Sequence, residues 1–137
     1  MCIRDSSWGL AVVSSKYSKK FTPPAPITKL RILAVGGDVA LRQNYCEAQV
    51  DSGADMTVIP SSLFSKKPRV YGYVDVVAVD GSKVSYKTCF VTLTLENRSF
   101  TNVEVILSAG DMGLLGRDVL NKVNLNLDGP NLSVKFI

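Results

Sequence analysis

Two short segments of this 137-residue chain carry residue types that can do chemistry. The first is Ala48-Gln49-Val50-Asp51-Ser52-Gly53-Ala54-Asp55, where an apolar, alternating run gives way to Asp-Ser-Gly and then Ala-Asp. An Asp placed where a strand ends sits at the lip of a sheet, with its carboxylate open to a cleft. A Ser beside it can donate a hydrogen bond to a neighbouring group. A Gly one residue later lets the backbone turn tightly and lets a second chain approach. Taken alone, Asp-Ser-Gly is also an ordinary turn sequence, with Asp51 as a turn or capping carboxylate. The second segment, Gly113-Leu114-Leu115-Gly116-Arg117-Asp118-Val119-Leu120, lies about 60 residues further on. It has the form of a strand-to-helix junction with close backbone packing.

Composition narrows the chemistry. The chain contains no His, which excludes a Ser-His-Asp or Cys-His apparatus and removes the commonest metal ligand. The three cysteines, Cys2, Cys46 and Cys89, form no CxxC pair and no disulfide scaffold. Cys46 and Cys89 sit in alternating apolar stretches and read as small buried thiols. No metal site and no cofactor are expected. Hydrolysis is left to carboxylates, Lys, Cys or a partner. The net charge of +4 comes from scattered basic residues without interleaved aromatics, so it reads as solvated surface and no nucleic-acid partner is expected. No apolar run approaches the roughly 20 residues that span a bilayer. Gly9 to Val13 is too short for a signal-peptide core. A cytoplasmic or polyprotein-embedded location without membrane contact is the expectation.

The elements that must position these segments are strands. Residues 1–26 hold scattered serines, Lys19-Lys20 and three prolines, and read as a flexible leader. Its first six residues resemble a translated sequencing-adapter fragment, not native sequence. Residues 27–137 read as one domain. Leu30–Val35 predicts a strand ending at a Gly36-Gly37-Asp38 turn. Val39–Val50 predicts a second, with Cys46, Ala48 and Val50 on one face. Ser61–Phe64 predicts a helical turn. Val70–Val79 and Lys83–Leu95 predict a long hairpin closed by Asp80-Gly81. A turn at Asn97-Arg98-Ser99 and a strand over Thr101–Leu107 follow. Arg117–Lys122 is the best short helix, and Val123–Leu127 and Leu132–Ile137 form a last hairpin around Asp128-Gly129-Pro130. The sum is an all-β, mostly antiparallel domain with one short helix.

With both segments and the intervening hairpin in place, the chain resembles the retropepsin-like, or retroviral-type, aspartic proteases. Asp51-Ser52-Gly53-Ala54-Asp55 is similar to that family's active-site loop. Leu114-Leu115-Gly116-Arg117-Asp118 is similar to its second motif, and the Asp80-Gly81 hairpin falls where the family carries its flap. The likeness spans Ile27 to Ile137. The runs Leu115–Asp118 and Leu127–Gly129 look closer to microbial and phage-like members. The resemblance implies a small closed antiparallel barrel of the acid-protease type. It implies an endopeptidase in which water is activated between two Asp carboxylates. The chain has a single Asp-Ser-Gly, whereas pepsin-like proteases carry two lobes and two such motifs. A homodimer acting on a polypeptide substrate is therefore implied, with Asp51 supplied by each subunit.

Further roles carry over residue by residue. Ser52 matches the hydroxyl that braces the pair across the dimer, and Gly53 brings substrate backbone close. Asp55 matches a carboxylate that binds substrate backbone and pairs with an Arg, here Arg117, in an ion pair expected to be buried. Ala54, Val58, Met112 and Leu114 would line apolar subsites. Asp80, Gly81 and Ser82 would form the flap tip over substrate. Two departures stand out. This flap has one Gly where retroviral flaps have more, and the chain ends in a hairpin where retroviral enzymes end in one interface strand. The competing reading is a non-catalytic dimerisation or peptide-binding module with the same barrel.

Overall fold

A computed structural model describes residues 13–35 and 41–137. Ten strands run in the order β1 Val13–Lys16, β2 Ile27–Val35, β3 Tyr45–Val50, β4 Val58–Pro60, β5 Gly72–Val77, β6 Lys83–Leu95, β7 Arg98–Ser108, β8 Gly113–Leu115, β9 Leu125–Asp128 and β10 Ser133–Phe136. A single 3-10 turn covers Ser61–Leu63, and helix α1 covers Arg117–Leu120. The large sheet is ordered β2-β3-β8-β4-β7-β6-β5, and β2 also pairs with β6. That last pairing closes six strands into a barrel and leaves β5 outside it as the outer strand of a hairpin. Closure removes the free edges of the six barrel strands, and the outer edge of β5 stays open.

Period-two alternation builds the core. Cys46, Ala48 and Val50 point inward from β3 while Tyr45 and Glu47 face out. Val91, Leu93 and Leu95 from β6, Val105 from β7 and Leu30 and Ile32 from β2 are almost fully buried beside them. The long strands wrap the barrel only by breaking register. β2 slips against β6 between Ile32 and Ala34, and β6 slips against β7 between Val91 and Leu93. Such irregularities add local twist and bend, which closure of a small barrel requires. The pairs β3–β8 and β4–β7 are parallel and the other pairings antiparallel.

Several sequence expectations shift at their ends. The second strand is paired only over Tyr45–Val50, with Leu41 bridging separately to Phe64. Its beginning near Val39 and the Gly36-Gly37-Asp38 turn lie outside the described residues, as do the adapter-like segment and Cys2. Residues Arg98 and Ser99 belong to β7, because Leu95 pairs with Arg98 and leaves only Glu96 and Asn97 in the turn. Glu96 takes φ 58° there. The hairpin strand β5 is shorter than Val70–Val79. Ala78 leaves the ladder because its carbonyl accepts the Gly81 N–H at 2.9 Å, closing a turn in which Gly81 has φ 88°. That positive φ is one Gly adopts without strain. The helix ends at Leu120, and a turn carries on to Lys122.

The larger difference is at the start. The stretch read as leader contributes β1, which pairs antiparallel with β10 from Val13↔Phe136 to Lys16↔Ser133. Together with β9 these strands form a separate three-stranded sheet. Ser18 and Ala25 exchange two backbone hydrogen bonds, at 2.8 and 3.1 Å, and turn the chain into β2. Tertiary pairing with the last strand overrides a composition that looks like a linker.

The two described thiols are buried, and burial pushes both up to about 11. A raised folded-state value means that both stay protonated, and inert as nucleophiles, at neutral pH. Native protein should therefore leave Cys46 and Cys89 unlabelled by iodoacetamide at pH 7.5, and both should label in denaturant. The same shift makes the folded form the better proton binder between about pH 9 and 11, so stability should fall as pH rises through that window. Rapid native labelling at either position would contradict the packing described.

Candidate active site

Strand order dictates the site. β8 lies between β3 on one side and β4 on the other. The chain leaving β3 at Val50 must therefore cross to β4, which starts at Val58, past the end of β8. Residues 51–57 make that crossing over Leu115 and Gly116. The contact is pinned by backbone hydrogen bonds. Asp51 N–H donates to Leu115 O at 3.0 Å, and Arg117 N–H donates to Ala54 O at 2.9 Å. The loop turns back on itself through Ala54 N–H to Asp51 O at 3.2 Å and Gly53 N–H to Asp51 Oδ1 at 2.9 Å. Asp51 is thereby held half-buried at the exit of β3, with one carboxylate oxygen engaged by its own loop. Ser52 is exposed. Its carbonyl accepts from Arg117 Nη1 at 3.4 Å, and its hydroxyl has no partner among the described residues.

Beneath the loop lies a polar cluster that the sequence reading did not single out. Thr57 is fully buried. Its hydroxyl donates to Asp118 Oδ1 at 2.7 Å and accepts from Gly116 N–H at 3.2 Å, while its N–H donates to Asp118 Oδ2 at 3.0 Å. Asp118 Oδ1 also accepts the Val119 N–H at 2.9 Å, so the carboxylate stands in the first turn of α1, where negative charge is favoured. Its available signals were a lone Thr inside the apolar run Met56–Pro60 and an Asp opening a helix after Gly. Their pairing across 61 positions was not visible in either. Gly116 completes the junction. A Cβ there would lie 2.6 Å from Met56 C and 2.7 Å from Met56 O, so the crossing is possible only over a bare α-carbon.

The expected ion pair between Asp55 and Arg117 forms, but it is not buried. Both side chains are exposed, 81% for Asp55 and 47% for Arg117. Such a pair adds little to the stability of a single chain.

Ala54, Asp55, Val58 and Leu114 line one cleft of about 510 Å³, with Gly53, Met56 and Ile106 and with Val74 to Val77 of the hairpin above. Met112 is placed elsewhere. It lines a separate groove beside Tyr45, Cys46 and Glu47, because it precedes the first paired residue of β8 and the alternation that buries Gly113 and Leu115 and turns Leu114 to the cleft does not reach it. Asp80, Gly81 and Ser82 form the hairpin tip, beyond the cleft wall that the hairpin stem supplies. The Ser82 hydroxyl and N–H, at 2.6 and 2.9 Å, hold the Asp80 carboxyl below its ordinary range.

Replacing Thr57 by Val removes a hydroxyl that the Asp118 carboxylate and the Gly116 N–H share. It should cost about 1–3 kcal/mol in urea unfolding. Gly116→Ala should cost about 2 kcal/mol or more by steric overlap with the crossing backbone. Gly129→Ala, in open space, serves as the neutral control. Equal stability of the two Gly variants would refute the close approach.

Comparison with known proteins agrees with this geometry. A family model described as retroviral aspartyl protease matches residues 24–128, more than half of the chain. Among solved structures, the EIAV protease complexed with the inhibitor HBY-793 superposes with a TM-score of 0.54 at 21% identity. The match covers 72% of this chain and 86% of that one. A search of curated proteins gives no match. The barrel is thus the retropepsin-like fold, and the chain belongs to the retroviral aspartyl protease family.

Proposed function

We propose that the chain is an aspartic endopeptidase that works as a homodimer, with Asp51 of each subunit forming the catalytic pair. The observation that carries this reading is the crossing loop. It fixes the Asp51 carboxylate at a strand exit, two residues before Gly53, where the lining of a cleft with apolar walls begins, and a single chain holds one such loop. Family membership supports the protease class. The free Ser52 hydroxyl and exposed Gly53 support a partner loop packing against this one, since each would face the equivalent residues across a two-fold axis. Two free-edged strands, β1 and β9, bound the terminal sheet and give the second copy a surface to extend.

The chemistry follows from like charges. Two carboxylates about 3 Å apart, the arrangement general to aspartic proteases, do not both ionise and share one proton. The ionised Asp51 takes a proton from a water lying between the pair. The protonated one donates a hydrogen bond to the scissile carbonyl oxygen. Water oxygen bonds to the carbonyl carbon and gives a gem-diol. Return of a proton to the amide nitrogen then expels the amine and leaves a carboxylic acid. Ala54, Val58, Leu114 and Ile106 would receive apolar side chains next to the scissile bond. Asp55 would accept hydrogen bonds from substrate backbone, and the Asp80–Ser82 tip would close over it. Among the described residues no helix is long and apolar enough to cross a membrane.

Purified protein at high concentration should cleave a mixed peptide library, and Asp51→Asn should abolish cleavage while keeping fold and dimer. Mixing wild type with an equal amount of Asp51→Asn should leave about a quarter of the dimers with two wild-type loops. Specific activity should then fall below the one half expected of independent monomers. Cleavage that survives Asp51→Asn would exclude the mechanism. A dimer that cleaves nothing from acid to neutral pH would favour the binding-module alternative.

A further inference from the structure

A second cavity opens at the root of the flap hairpin. It measures about 540 Å³ and lies between the loop after the 3-10 turn, strand β6 and the end of β7. Its apolar floor comes from Phe64, Pro68, Val70 and Leu107. Lys66, Lys67 and Lys87 stand around it, with the hydroxyl-bearing Ser61, Ser85 and Ser108. No Asp or Glu lines it. Among the described residues the three lysines make no ion pair with a carboxylate. The nearest acidic neighbour by register is Asp75, paired with Ser85 across the hairpin, and it contributes to the cleft instead.

The cavity therefore has an apolar base under an unneutralised cationic rim. We propose that it binds a peptide segment in which an apolar side chain is flanked by acidic residues. The apolar side chain fills the floor, and the carboxylates meet Lys66, Lys67 and Lys87. A phosphodiester chain fits less well, because it would leave the floor empty. Position gives the site its consequence. It shares no lining residue with the cleft, yet both use the same two walls. Ile106 faces the cleft, and Leu107, its neighbour on β7, faces this cavity. The hairpin gives Val74 and Val76 to the cleft and Ser85 and Lys87 to the cavity. An occupant would brace the root of the flap and hold a polypeptide beside the cleft. This role as a recruitment site for acidic substrates rests on the endopeptidase reading; the binding itself does not.

The test uses Asp51→Asn protein, so that no peptide is cut whatever the activity. Capped Glu-Glu-Phe-Glu-Glu is titrated into isotope-labelled protein and followed by amide chemical shifts. Shifts should cluster at Lys66, Lys67, Ser85, Lys87 and Leu107. The Gln-Gln-Phe-Gln-Gln analogue should bind about tenfold more weakly, and Lys66→Glu/Lys67→Glu should weaken the acidic peptide about fivefold or more. If that double variant does not fold, Lys87→Ala and a sodium chloride titration should each weaken binding instead. Absence of shifts, shifts confined to Gly53–Met56 and Val74–Val77, or equal binding of the Gln peptide would overturn the proposal. So would an oligothymidylate that binds the same residues as strongly.

Discussion

The structure depends on one forced crossing. β8 sits between β3 and β4, so the loop joining those two strands must pass over its end at backbone contact distance. Two backbone hydrogen bonds, Asp51 to Leu115 and Arg117 to Ala54, hold the crossing. The absent side chain at Gly116 makes room for it. The buried Thr57–Asp118 cluster fastens it from below. A buried polar cluster of this kind is stable because each of its members is satisfied, and its directional bonds allow one arrangement. The position of the Asp51 carboxylate is thus set by the barrel, with little left to the freedom of a surface loop.

The same crossing separates two functions among neighbouring charges. Asp118 and Thr57 work inside the junction. Asp55 and Arg117, one or two residues away, are exposed to water. In a single chain this exposed pair contributes little, but it lies on the surface next to Ser52, whose hydroxyl is free. The loop is thus fastened from within by hydrogen bonds while Ser52, Asp55 and Arg117 stay exposed.

The β5–β6 hairpin and β7 line two cavities from one small barrel. Period-two alternation puts Ile106 and Leu107 on opposite faces of one strand, and the hairpin likewise presents different residues to each side.

The sequence by itself determined the local rules: which residues alternate, where Gly81 and Gly129 turn the chain, where the short helix starts, and which two motifs stand apart from the core. Cys46, Ala48 and Val50 were legible as one buried face because alternation needs no partner to be seen. β6 was legible to its ends because its pattern is long and bounded by turns. Tertiary structure alone decided what lies far apart in the chain. It recruited Val13–Lys16 into a sheet through pairing with β10, across more than a hundred residues that composition does not register. It sent Met112 to another groove, because side-chain direction follows from where pairing begins. It left Asp55 and Arg117 in solvent, because burial depends on what packs above a residue and not on its neighbours in sequence. It also joined Thr57 to Asp118, since a hydrogen bond between loop and helix exists only once the barrel has closed around both.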